Sequence, residues 1–358
     1  MRREQRWRTV RKVAAYGAAL TLTPYLLIKV SWVVGTLLGL LPMGEGFSIT
    51  EWVVLNTVTV GMAAIGIVLA LVLARPWGGR LPAAPVIFCA WVGAGFLVPV
   101  IPYMLISQFL GAKGSEEHGN GGAGGDAGGG GGDAAMPGWE VALIGVGFLG
   151  MAVGLAVALP LYLCERWPQA FHGPVGDDAP EDGRAGAGAL RPWPAGLAVA
   201  AAAVLGLAGL YWACGGTAGI DHPGLRDLNP SLMTGNAGLW ALIGGCALWS
   251  LTTRRTTRRA TRLPLWIPVT LTGVASGSLF AWGGWKLPVT LYFAVVPHGD
   301  PQPQNLVVAA SQHAVSIATG ATMLYALLRV LRRRVAGAPR DGRHPATGTR
   351  AIEPRNFL

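Results

Sequence analysis

Apolar residues run along this chain in eight blocks, each of bilayer-spanning length: 15–41, 51–74, 84–110, 139–164, 194–219, 236–253, 264–287 and 305–331. A spanning helix needs about 20 predominantly apolar residues, and longer blocks tilt or begin outside the hydrocarbon. The pattern predicts an all-α fold: a polytopic membrane helix bundle of eight transmembrane helices. Block 236–253 is the shortest, and 15–41 and 305–331 are long enough to start outside the bilayer. Arg2, Arg3, Arg6, Arg8, Arg11 and Lys12 resemble the basic region of a signal peptide. The block behind them exceeds the roughly 7–15 apolar residues of a signal core, so it reads as a retained first span.

The polar stretches between the blocks divide by side. With the N-terminus in the cytoplasm, 24 of the 28 basic residues fall on the cytoplasmic side, with 8 acidic ones. The other side holds only Lys113, Arg226 and Lys286, with 10 acidic residues. This is the positive-inside asymmetry, and it places both termini of an eight-span chain in the cytoplasm. Trp52, Trp77, Trp139, Trp167, Trp193, Trp266 and Trp285 fall near block ends, where interfacial belts sit.

The connector 168–193 is rich in Pro, Gly and acid, and reads as a disordered cytoplasmic segment dividing the blocks four and four. The expected organisation is a first membrane half 1–167, the connector 168–193, a second half 194–331 and a basic cytoplasmic tail 332–358. The first half includes a flexible Gly-rich outer loop, 111–138. Trp32, Gly35 and Gly39 share the spacing of Trp212, Gly215 and Gly219, and Arg80-Leu81-Pro82 recurs as Arg262-Leu263-Pro264. These matches suggest a 4+4 parallel repeat. Small residues four apart let helix backbones approach closely in lipid. Gly35/Gly39, Gly150/Gly154, Gly215/Gly219 and Gly273/Gly277 therefore read as packing seams, with Trp32 and Trp212 as wedges beside them.

Composition agrees with this picture. The chain is 52% hydrophobic and 13% charged with mean hydropathy +0.44, whereas a soluble domain carries about 25% charged residues. That excludes a soluble enzyme, a disordered protein and a disulfide scaffold. The net charge of +10 would suggest nucleic acid in a soluble protein. Here it reflects topology, so no nucleic-acid partner is expected. Cys89, Cys164, Cys214 and Cys246 lie in separate apolar blocks and read as small packing residues.

The stretch LYWACGGTAGI at 210–220 and its fainter counterpart IKVSWVVGTLLG at 28–39 resemble a segment of uncharacterised multi-pass membrane proteins of high-GC Gram-positive bacteria. The resemblance covers two blocks. It implies a bacterial plasma-membrane setting and transfers no activity.

Polar residues inside the blocks are the remaining chemical signal, because each is costly in hydrocarbon. Lys29 lies inside the first block and is either an intramembrane functional charge or a snorkelling side chain. Asn305, Gln312, Ser316 and Thr319 share one face of the eighth block, with His313 at its margin. Asn56, Glu51 and Glu140 are candidates to complete a polar pocket with Lys29. In a permease-like reading, Gln312, Ser316 and Thr319 line the path, Lys29 binds an anionic group and His313 tunes its charge. Asp221-His222 and His298-x-Asp300 lack the spacing of helical His metal motifs, so no metal or cofactor is expected. No GxSxG, HExxH or GxxxxGK[ST] motif is present, and no enzymatic activity is expected. The expected function is transport of a small solute or lipid; the alternative is a non-catalytic accessory or signalling subunit. Expected partners are the bilayer, a small-molecule substrate, and a second copy or a membrane partner.

Overall fold

The structure is a computed structural model that describes residues 2–40, 48–111, 138–166, 193–226, 228–252, 264–296 and 303–337. The described residues are almost wholly helical, with one isolated antiparallel bridge between Ile220 and Gln304. The helices in chain order are α1 (Arg2–Leu37), α2 (Ile49–Ala74), α3 (Ala83–Leu97), α4 (Val100–Gly111), α5 (Gly138–Arg166), α6 (Trp193–Ala213), α7 (Leu228–Thr252), α8 (Trp266–Val295) and α9 (Leu306–Gly337). The outer loop 112–137, the connector 168–192, the Arg254–Arg262 loop, His298, Asp300 and the tail beyond 337 lie outside the described residues.

Among the described residues, seven helical stretches are long and apolar enough to cross a membrane, the third running Ala84–Met104 through α3 into α4. They are consistent with a helical bundle in a bilayer. The sequence reading of eight spans is coarsened by one, because α8 is not among the seven. Its 30 residues carry Thr270, Thr272, Ser276, Ser278, several glycines and Lys286, which lower its apolar character. Burial against α3, α7 and α9 compensates for that composition. The 4+4 repeat is likewise not established by the helix count.

Helix ends follow local chemistry. Ser48 caps α2: its hydroxyl accepts from the Glu51 N–H while the Glu51 carboxylate accepts from the Ser48 N–H at 2.8 Å. Gly39 closes α1 with φ +69°, and Gly215 closes α6 with φ +95°. In both, the two chain-reversing bonds are present: Leu40 to Gly35 and Gly39 to Thr36, then Gly216 to Tyr211 and Gly215 to Trp212. This corrects the reading of Gly39, Gly215 and Gly219 as seam residues. Gly39 and Gly215 have open space where a Cβ would stand, and Gly219, with φ +74°, abuts Val308 in a loop. The aligned Trp-Gly-Gly spacing is also not structurally equivalent. Gly35 is buried within α1, whereas Gly215 lies beyond the end of α6.

The third apolar block is broken. Pro99 has no N–H for the Gly95 carbonyl and Pro102 none for Val98, so the helix stops at Leu97 and restarts at Val100. Asn236 of α7 reaches across and donates its Nδ2 to the Pro99 carbonyl at 2.7 Å.

The helices pack in two groups. In the first, α1 lies along α2 and α5, and α3 packs on α5 and α2. In the second, α6 lies along α7, and α8 fills the space between α7 and α9. The groups meet where α3 crosses α8. There Gly95 lies against the Gly277 backbone, the Trp91 indole donates to the Ser276 hydroxyl at 2.9 Å, and Trp91 packs on Phe280. At the chain-start end of the first group, Arg11 pairs with Glu165 at 3.3 Å and donates to the Leu73 carbonyl at 2.6 Å. Arg166 donates to the Tyr162 hydroxyl and, at 3.1 Å, to the Leu81 carbonyl.

Candidate functional site

Lys29 is the buried charge of the first group, with 3% of its surface exposed. It stands eight residues before the end of α1, about 12 Å at 1.5 Å per residue. Asn56 enters from the antiparallel α2, seven residues after that helix begins. The Lys29 ammonium donates to Asn56 Oδ1 at 3.0 Å. Asn56 is fully buried, and its Nδ2 is held by the Trp52 carbonyl at 2.8 Å, which aims its carbonyl oxygen at the lysine.

Aromatic rings enclose the same ammonium. It lies 4.1 Å from the ring centre of Trp32 and 5.9 Å from that of Tyr25. Trp32 stacks on Trp52 with ring centres 5.9 Å apart, so one indole of the pair faces the cation and the other braces it. On the same helix as Asn56, the Thr59 hydroxyl donates to the Asn56 backbone carbonyl at 2.8 Å. Glu140, in the first turn of α5, supplies the acidic charge that reaches Lys29. Among the described residues, no carboxylate lies within 4.0 Å of the ammonium. Lys29 is therefore held by rings, an amide oxygen and a more distant carboxylate.

The polar face of α9 is elsewhere. Ser316 is buried and donates to the Leu279 carbonyl of α8 at 2.8 Å. Thr319 is buried and returns its hydroxyl to Val315 of its own helix. Gln312 and His313 are half-buried, and the charge nearest in effect to His313 is Lys286 of α8. Asn305 caps the start of α9 and its amide reaches the Asp221 carboxylate at 3.2 Å. The sequence reading joined Lys29, Asn56, Gln312, His313, Ser316 and Thr319 along one path. The structure brings Lys29 and Asn56 together in the α1–α2–α5 group and puts the α9 residues against α8.

The packing candidates divide in the same residue-by-residue way. A Cβ at Gly150 would run into Thr21, and one at Gly154 into Ala14 and Ala18, so α5 lies tight on α1. Gly277 faces Trp91 and Gly95, whereas Gly273 has only Leu327 at 3.9 Å. Trp32 is part of the Lys29 enclosure. Trp212 serves a turn: its indole donates to the Ala218 carbonyl at 2.8 Å, and its own carbonyl accepts from Arg226 at 2.5 Å.

Three contributors escaped the sequence reading. Tyr25 sits four residues before Lys29, one helical turn, and that spacing was a usable signal. Asn236 had the same signal as Asn56, an amide in an apolar helix, but its partner carbonyl exists only because α3 breaks. The pairing of Glu51 with Tyr292, across α2 and α8, joins residues 241 apart and had no local signature. No known protein family, curated protein or solved structure matches this chain.

Proposed function

We propose that this is a permease-like membrane protein for a small solute or lipid, and that Lys29 marks its working centre. The observation that carries the reading is the Lys29–Asn56 hydrogen bond, 3.0 Å long and buried among α1, α2 and α5. A lysine inside a helical membrane bundle costs about 2.5–3.5 kcal/mol to insert, and such residues mark ion and substrate pathways. The interrupted third block is compatible with the reading, because broken helices within a bilayer occur where the backbone is buried in protein or lines a cavity, and transporter sites use such breaks. The bacterial plasma membrane and cytoplasmic termini belong to the same proposal. They rest on the distribution of basic residues and on α8 acting as the eighth span, about 45 Å long and packed between two spanning helices.

The test is complementation. Cells lacking the protein are compared by untargeted solute and lipid profiling with cells carrying wild type, Lys29→Met or Ser316→Ala. Lys29→Met fails to restore the wild-type profile although the protein reaches the membrane, and Ser316→Ala restores it. Full restoration by Lys29→Met would sink the proposal.

A second reading is a non-catalytic accessory subunit. The way α9 spends its Ser316 hydroxyl on the Leu279 carbonyl favours it, since that polar group closes a seam and opens no path. In-cell crosslinking that recovers a stoichiometric membrane partner distinguishes this reading from the first.

A further inference from the structure

The sequence reading gave Lys29 the task of binding an anion. The groups around it are built for the opposite charge. The Trp32 ring face is 4.1 Å from the ammonium and the Tyr25 ring 5.9 Å away. An aromatic face carries partial negative charge and attracts cations, and enclosures of such rings recognise alkylammonium groups. Asn56 presents its carbonyl oxygen, an acceptor, at 3.0 Å, and its amide NH2 is turned away and held by Trp52. Glu140 adds negative charge from α5. An anion placed beside Lys29 would meet two ring faces and an amide oxygen, and each of these would repel it.

We propose that the enclosure formed by Tyr25, Trp32 and Asn56 is an alkylammonium-binding site, and that Lys29 is its tethered occupant, which an organic cation must displace. The inference rests on Lys29 being the working centre and names the substrate class as amine-bearing solutes or lipid headgroups. The ammonium has three N–H donors, of which Asn56 takes one and the rings face the rest, so a primary amine fits the contacts Lys29 makes. Because the lysine is covalently attached, its effective concentration is high and free amines compete poorly until it withdraws.

The experiment uses the full-length protein in nanodiscs, titrated calorimetrically with n-butylammonium, butyrate and n-butanol. The ammonium probe has the four carbons and the ammonium of the whole lysine side chain, of which Lys29→Ala retains only the first carbon. The variant binds n-butylammonium at least tenfold more tightly than butyrate or n-butanol, and at least tenfold more tightly than wild type does. Adding Asn56→Leu removes that preference. If Lys29→Ala is too unstable to purify, it is expressed with each probe in the medium, and only n-butylammonium restores folded yield. Preference of wild type for butyrate that disappears in Lys29→Ala overturns the proposal, as does equal binding or rescue by all three probes. Binding is read without flux. Cation-selective binding with normal complementation by Lys29→Met would fault only the permease reading, and failed complementation without cation selectivity would fault only this one.

Discussion

At the scale of single residues, backbone geometry distinguishes glycines that look alike in sequence. Gly95 and Gly277 meet backbone to backbone where α3 crosses α8, so any side chain there pushes the helices apart. Gly95→Val lowers stability by at least 1–3 kcal/mol, the range for overpacking, in thermal unfolding of the detergent-solubilised protein. Gly39 has empty space around it but a left-handed backbone. Gly39→Ala therefore costs about 1–2 kcal/mol by strain alone. Gly61 has neither constraint, and Gly61→Ala raises stability by about 0.5–1 kcal/mol through helix propensity. The three variants measured together separate contact from conformation. Loss of stability in Gly61→Ala, or none in Gly95→Val, would contradict the assigned roles. Lys29 was legible in the sequence because a charge in an apolar block is conspicuous. Its enclosure was less so, because the sequence alone places Trp32 beside a packing seam and Trp52 at an interface, and their stacking depends on how α1 meets α2.

At the scale of elements, hydrophobic blocks located the helices well, because burial in lipid or in the bundle requires long apolar runs. Their ends were less legible. Block 194–219 stops as helix at Ala213 because Gly215 turns the chain, and block 236–253 gains two turns because Pro230 is tolerated in the first turn of α7. The break in the third block was written in Pro99 and Pro102, yet its brace was not. The bond from Asn236 to the Pro99 carbonyl ties α7 to the junction of α3 and α4. A net hydrogen bond of about 1 kcal/mol corresponds to several-fold in local opening. Asn236→Leu therefore speeds amide exchange at Val100, Ile101 and Tyr103 about fivefold while exchange in α5 is unchanged. Equal exchange in both proteins would remove Asn236 from that role.

At the scale of the whole molecule, two helix groups each carry a polar seam, and the groups touch through α3 and α8. The sequence could show that Lys29 and the α9 stripe both lie deep in apolar blocks. It could not show that they belong to different groups, because helical periodicity fixes the face of one helix and not its neighbour. If α8 spans the bilayer, reporters fused to the two termini fall on the same, cytoplasmic side; opposite sides would leave seven spans. The separation of the seams is the claim on which the rest depends, and proximity measures it most directly. Single cysteine pairs are introduced into a variant lacking Cys89, Cys164, Cys214 and Cys246, and treated in native membranes with a short bifunctional thiol reagent. The pair Lys29→Cys with Asn56→Cys crosslinks, and so does Ser316→Cys with Leu279→Cys, whereas Lys29→Cys with Gln312→Cys does not. Efficient crosslinking of the Lys29–Gln312 pair, with none between positions 29 and 56, would contradict the account.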